Sequence, residues 1–466
     1  MKKLLAYFSS LSLGMSLAGC MVGPDYQRPD VETPTAFKEA GTWKAAEPAD
    51  EKPRGSWWEA YGDEELNALV AKVAISNQNV LSAAAQYRQA VAVLEGARAS
   101  YFPTLGTSLA GTRAQSLTTA PATTASPATN TVKFSLSASW EADLWGQIGR
   151  TVESSDASAQ ASAADLGAAL LSAQATLVQT YFQLRTTDAQ IHLLQATVVA
   201  YERSLEITKN RYEAGVAGRV DVAQAEAQLQ STRAQTLDLG VQRSQYEHAI
   251  AVLIGKPPAE FRLEAKTDVP TLPLIPAAIP SALLERRPDI AGAERRTAAA
   301  NAQIGVAQSA FFPALTLGAS GGYQNDALSG LVALPHRFWS LGPTLALTLF
   351  DGGARSAQKS SAAATYDKAV ATYRQTVLSA FQEVEDNLAA LRILGEEEGV
   401  QKAATRSAEE ALALTQNQYI AGTVSYLNVV TAQATALTAQ RSEIDILGRR
   451  LIAHGTLLKA LGGQTP

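Results

Sequence analysis

The chain has 466 residues, of which 46% are hydrophobic and 18% charged, with a formal net charge of −5. That mildly acidic balance lacks the basic footprint nucleic-acid binding needs, so nucleic acid is not an expected partner. Cys20 is the only cysteine, which rules out an intrachain disulfide and a cysteine-built zinc site.

The chain opens with Lys2 and Lys3, an apolar run from Leu4 to Leu17, and "LAGC" ending at Cys20. This reads as a secretory signal over residues 1–19, too short for a membrane span. Its last four residues resemble the lipobox of bacterial lipoproteins, whose cysteine is acylated and becomes the new N-terminus. That resemblance makes Cys20 the site of a covalent lipid, and no other cofactor is expected. No later run of eighteen apolar residues exists, so no membrane-spanning helix is expected in the mature chain. Residues 20–62 are rich in proline and charge and read as an extended tether.

The remainder divides into two copies of one plan, residues 63–256 and 281–463, joined by a proline-rich linker at 257–280. Each copy holds a helix, two strands and a long helical hairpin. In the first copy the strands fall at 103–113 and 131–144. The second of these alternates strictly: Val132, Phe134, Leu136, Ala138 and Trp140 on one face, and Lys133, Ser135, Ser137, Ser139 and Glu141 on the other. The second copy repeats the pattern at 313–323 and 339–350, and matching phrases "ASYFP" and "SAFFP" lead into the two strand pairs. Strands with one apolar face, one polar face and aromatic ends suit an outer-membrane barrel. A sandwich with one wet face shows the same alternation. Four strands are too few for two packed sheets and fall short of the roughly eight that close a membrane barrel, so several chains must share one barrel.

Hairpins follow at 147–254 and 354–461. No proline lies between Pro127 and Pro257 or between Pro343 and Pro466, and proline costs roughly 3 kcal/mol inside a helix. Leu170, Leu177, Leu184, Ile191, Val198 and Leu205 repeat at seven-residue spacing, as do Val370, Val377, Val384 and Leu391. A sustained heptad predicts coiled-coil packing, and a helix over 147–212 would be about 100 Å long. Each hairpin turns at a Tyr-x-Ala-Gly motif: "RYEAGVAGRVD" sets Tyr212, Gly215 and Asp221 in the places that "QYIAGTVSYLN" gives to Tyr419, Gly422 and Asn428. Both glycines read as helix stops.

No catalytic constellation is found, so an enzyme is not expected. His192, His248, His336 and His454 have no metal-ligand spacing and read as solvated or structural. Glu396, Glu397 and Glu398 read as a solvated helix face.

The ordered phrases "MVGPDYQRP", Trp57-Trp58, "WEADLWG", "RYEAGVAGRVDVAQAE", "ERRPDIAGAERR", "LFDGG", "YIAGTVSYLNVVTAQ" and the closing "LGG" resemble the outer membrane factor family, the TolC-like channels. They are most similar to its NodT and OprM branch, the lipoprotein channels of resistance-nodulation-division efflux systems. The resemblance implies a mixed α+β membrane protein that forms a homotrimer. Four strands per chain would make a twelve-stranded barrel in the outer membrane, continuous with a helical tube across the periplasm. An equatorial domain built from residues 20–62, the proline-rich middle and the C-terminus would wrap the tube. The implied role is the passive exit duct of a tripartite pump for small amphiphilic compounds, with a periplasmic adaptor and an inner-membrane transporter as partners. A duct for type I protein secretion and a non-conducting periplasmic lipoprotein are the alternatives.

The same resemblance places a periplasmic gate at Leu427 and, one turn on, Thr431, where many relatives carry an acidic residue. Leu427 is then either a constriction or hairpin core. Tyr212, Gly215, Asp221, Tyr419, Gly422 and Asn428 become the adaptor-docking tips, and Trp140, Trp145 and Trp339 an aromatic girdle around the barrel.

Overall fold

The computed structural model describes residues 21–31, 55–115, 128–266, 272–273 and 287–463. Cys20, and with it the lipidation site, lies outside the described residues. The helices are α1 (Glu64–Ser76), α2 (Gln78–Ala99), α3 (Gln147–Glu213), α4 (Arg219–Leu253), α5 (Pro288–Ser309), α6 (Ala354–Ile420) and α7 (Tyr426–Ala460). The strands are β1 (Thr104–Ala114), β2 (Thr129–Ala142), β3 (Ala314–Asn325) and β4 (Arg337–Ala346). The chain forms two units, one of Met1–Asp30, Tyr87–Ser162 and Ala293–Tyr373, the other of Val31–Gln86, Ala163–Gly292 and Arg374–Pro466.

The first unit is built on one antiparallel sheet of order β1-β2-β3-β4. Register carries the alternation of β2 across the whole sheet, because a period of two fixes which face each residue joins. Leu105, Ala138, Ala319 and Leu341 lie in one row, and Leu109, Phe134 and Tyr323 in another. The opposite face is mainly hydroxyl and glycine, with Lys133 and Glu141 toward its two ends: Ser108 meets Ser135 at 2.9 Å and Ser320 meets Ser340 at 2.8 Å. The apolar face is uncovered within the chain, with Leu105 73% and Leu341 76% exposed. Among the described residues there is one sheet, not the two packed sheets of a sandwich. Two strands end earlier than alternation suggests. Asp143 stops β2 at Ala142 by accepting from the backbone N–H groups of Ile148 and Gly149 at the start of α3. Asp351 does the same for α6, accepting from the N–H groups of Gly353 and Arg355, and β4 ends at Ala346 rather than near Phe350.

The start of the tether is not loose. Val22 N–H donates to the Trp145 carbonyl at 3.1 Å, and Arg150, almost fully buried, donates to Asp25 at 2.8 Å and to the carbonyls of Val22 and Gly23. Asn301 donates to the Pro24 carbonyl at 2.9 Å, and the Tyr26 hydroxyl to Glu294 at 2.6 Å. Met21–Asp30 is therefore a strap bound along α3 and α5, where composition alone suggested an extended linker.

The second unit holds the main core, in which Leu177, Tyr181, Phe182 and Leu184 of α3 meet Leu66 and Val70 of α1, Ile250 of α4 and Leu451 of α7. The middle heptad positions are the most deeply buried: Leu177 and Leu184 are 0% exposed and Val377 and Val384 at most 2%, while Leu170, Ile191, Val198 and Val370 are half-buried. The interleaved polar positions Thr180, Thr187 and Thr208 are buried too. Each returns its hydroxyl hydrogen to the carbonyl four residues back, so burial leaves no orphaned donor. One 18-residue window of α3 reaches a mean hydropathy of 1.2, enough by composition for a membrane span. About a third of that window, 33%, is buried within the chain.

His454 sits in the core at 3% exposure, its Nδ1 2.7 Å from the Tyr61 hydroxyl. Burial lowers its pKa from 6.5 to about 4. The unfolded chain thus takes up a proton near pH 6.5 that the folded chain refuses until near pH 4. Stability present above that window is lost as pH falls through it, by up to about 3 kcal/mol. Urea midpoints recorded from about pH 7 down to pH 4.5 are expected to fall more steeply in the parent than in His454→Gln; parallel slopes would contradict this.

Candidate functional site

Both long hairpins end in the same device. At the end of α3, Val216 N–H reaches the Arg211 carbonyl at 2.9 Å and Gly215 N–H the Tyr212 carbonyl at 3.0 Å. At the end of α6, Thr423 and Gly422 do the same to Gln418 and Tyr419, each at 3.0 Å. These paired bonds satisfy the last helix carbonyls and need a left-handed residue, supplied by Gly215 at φ 74° and Gly422 at φ 79°. A side chain built on Gly215 would meet nothing within 4 Å, so that turn opens to its surroundings.

The two tips lie together. Arg211 donates to the Ile420 carbonyl at 2.8 Å and stacks 4.8 Å over the Tyr419 ring. Tyr419 packs edge-on against Tyr426 at 5.2 Å, whose hydroxyl is 3.1 Å from Ser204. Tyr201, Leu205, Val222, Leu229 and Val429 complete one small core.

Equivalence in sequence is not equivalence here. Tyr419 is 6% exposed and holds the tips together, whereas Tyr212 is 42% exposed. Asp221 accepts from Gly218 N–H at 3.3 Å and caps α4; at Asn428 only the backbone N–H bonds, to the Ser425 carbonyl at 3.1 Å. Leu427 is 57% exposed, so it is not hairpin core; Tyr426 occupies that place. Thr431 is exposed on the same face, its hydroxyl donating to the Leu427 carbonyl at 2.9 Å. Val216, Val220 and Ile420 are also more than half exposed, so the tip carries an uncovered apolar surface.

The three tryptophans separate. Trp140 and Trp339 lie on the apolar face of the sheet, paired with Leu317 and Gly321 and so four residues apart along β3. Trp145 follows β2, half-buried, stacked 4.8 Å from Phe312 and donating to the Pro313 carbonyl at 2.8 Å. Its ring and its indole N–H are both engaged within the chain. Phe102 and Phe350, 71% and 88% exposed at the helix-side ends of β1 and β4, are the aromatics that alternation missed.

Sequence reasoning also missed a buried charge cluster in the second unit. Arg185, 1% exposed, donates to Glu65 at 2.6 Å, to Asp188 at 3.1 Å and to the Glu264 carbonyl at 2.8 Å, and lies 4.8 Å from the Tyr181 ring. Arg243 reaches the other side of Asp188 at 2.7 Å, and Lys266 reaches Glu65 at 2.6 Å. Among the described residues no group of acidic, histidine or cysteine side chains is arranged to hold a metal.

Comparison with known proteins agrees with this geometry along nearly the whole chain. The family described as outer membrane efflux protein matches residues 69–256 and 279–463. Nodulation protein T of Rhizobium leguminosarum is 33% identical, the alignment covering 97% of this chain and 92% of that protein. The toluene efflux pump outer membrane protein TtgF of Pseudomonas putida is 29% identical over 98% of this chain and 96% of its own length. Among solved structures, the Campylobacter jejuni CmeC outer membrane channel superposes with a TM-score of 0.85 at 26% identity, covering 95% of each chain. The chain belongs to the outer membrane efflux protein family.

Proposed function

We propose that three copies of this chain form the outer-membrane exit duct of a tripartite efflux pump, passive in itself and closed at its periplasmic end. The observation that carries this reading is the sheet: four strands, an uncovered apolar face, and β1 and β4 as free edges. Hydrocarbon supplies no partner for the backbone groups of an edge, so such a sheet is stable in a bilayer only when closed into a barrel. Three copies supply twelve strands, within the range of outer-membrane barrels.

The docked strap supports lipidation of Cys20, because Met21 is already packed against Gly146 at the end of the sheet nearest α3. An acyl chain on the preceding residue would enter the same membrane that takes the apolar face. The paired tips support docking to a periplasmic adaptor, since exposed Tyr212, Val216 and Ile420 offer an apolar surface that a lone chain leaves in water. Leu427 and Thr431 serve as the gate, Leu427 converging on the axis as a constriction that excludes water. An inner-membrane transporter of the resistance-nodulation-division type supplies the energy. The cargo is small amphiphilic compounds; the relative named for toluene efflux handles a small apolar one.

Gly215→Asp and Gly422→Asp test the docking role. Neither position is crowded, and Asp tolerates a left-handed backbone, so both variants are expected to fold and to assemble into trimers. Export in a host with the cognate pump is expected to drop by about tenfold or more, since a carboxylate at the tip removes well over 1 kcal/mol of apolar docking. Full export by both variants would overturn the assignment.

A further inference from the structure

On the polar face of the sheet, β2 contributes Lys133, Ser135, Ser137, Ser139 and Glu141, and the facing rows are serine, threonine, glycine and alanine with Gln324 and Phe338; Lys133 itself lies between Ala110 and Gln324. Lys133 and Glu141 are the only described charges on that face, about 26 Å apart at the rise of an extended strand. Glu141 is at the end nearest α3 and Lys133 at the end nearest the strand connections.

Lys133 is not free to trail away. Its Nζ lies 4.7 Å from the centre of the Phe338 ring on β4. Phe338 pairs with Gly322, and Gly322 pairs with Ser135. The strand between Lys133 and Phe338 therefore presents a glycine, and the ring reaches the ammonium across that gap. A Cβ on Gly322 would come 2.0 Å from the Phe134 carbonyl oxygen, so no larger residue fits there. Among the described residues Phe338 is the one aromatic on this face, where it gives the cation a ring quadrupole instead of a carboxylate.

The surroundings do not cancel this charge. Arg113 and Arg337 stand at the same end of the sheet but on its apolar face, and the β3–β4 connection adds one carboxylate, Asp326. Residues 116–127, joining β1 to β2, contain no Asp, Glu, Lys or Arg.

We propose that Lys133, held over Phe338, forms with its copies in the assembly a cationic ring at the outer mouth of the pore that makes it prefer anions. This rests on the barrel reading above, in which the serine-lined face is the lumen. Rings of basic side chains select anions by concentrating them at the narrowing, and a low-dielectric wall strengthens the field. The favoured solutes are inorganic anions and amphiphiles bearing a carboxylate or sulfonate, whose aromatic parts can also lie on Phe338.

The test is the reversal potential of purified protein in planar bilayers under a KCl gradient, with the periplasmic end widened by Leu427→Gly and Thr431→Gly in every sample. Chloride is expected to permeate several-fold better than potassium. Lys133→Gln is expected to bring the ratio near one, and Lys133→Glu to reverse the sign of the potential. Phe338→Leu, which keeps bulk but removes the ring, is expected to lower the ratio, and Phe338→Tyr to retain it. Conducting pores with the same reversal potential in Lys133→Glu as in the parent would overturn the proposal and leave the channel reading standing. An unchanged ratio in Phe338→Leu would overturn the pairing of ring and lysine. Absence of conductance in all samples would remove the channel reading and this proposal with it.

Discussion

Arg185→Ala is expected to destabilise the second unit by about 3–5 kcal/mol. The side chain is 1% exposed and joins α1 through Glu65, α3 through Asp188 and the Leu263–Lys266 segment through the Glu264 carbonyl. Truncation leaves a void beside Tyr181 and strips a hydrogen bond from each of these acceptors. Arg243 and Lys266 still neutralise Asp188 and Glu65, so the loss is bounded rather than that of a lone buried ion. Arg185→Lys keeps the charge, but a point ammonium cannot replace a planar fork reaching three acceptors, so roughly half the loss is expected. Trp57, 1% exposed in the adjoining core, reports unfolding by fluorescence. A urea midpoint for Arg185→Ala equal to the parent's would contradict the role of the cluster.

The cluster also marks where sequence reasoning stops. Local signals were legible: absent proline and the heptad of Leu177 and Leu184 marked α3, and glycines at 215 and 422 marked the turns. Alternation along β2 gave the two faces of the sheet, since register spreads one strand's phase to its neighbours. Arg185 gave no such signal, because its partners at 65 and 264 are distant in sequence and a lone arginine in a helix reads as surface. The strap was missed for a related reason. Proline and charge in "GPDYQRPD" suggest a linker, but Asp25 and Tyr26 find buried partners in Arg150 and Glu294. Duplication misled in one respect: Tyr212 and Tyr419 share a motif, yet only Tyr419 has Arg211 across its face and Tyr426 at its edge.

The second large effect concerns the gate. Leu427 is exposed although it immediately follows buried Tyr426, and Thr431 lies one turn further along the same face. In the proposed trimer three Leu427 side chains converge, and a pore narrowed by apolar groups loses its water before it is sterically shut. Thr431 supplies no carboxylate for an ionic lock, and its hydroxyl donates to the Leu427 carbonyl. Closure therefore depends on apolar contact, and removing both side chains opens the end without disturbing the Tyr419–Tyr426 core beside it.

Single-channel recording of the parent and the Leu427→Gly/Thr431→Gly variant in planar bilayers separates a gated channel from an inert lipoprotein. The parent is expected to conduct rarely, and the variant to show an open conductance and open time larger by about tenfold, through a water-filled pore. A purified, folded variant that stays electrically silent would contradict the claim that this chain builds a channel.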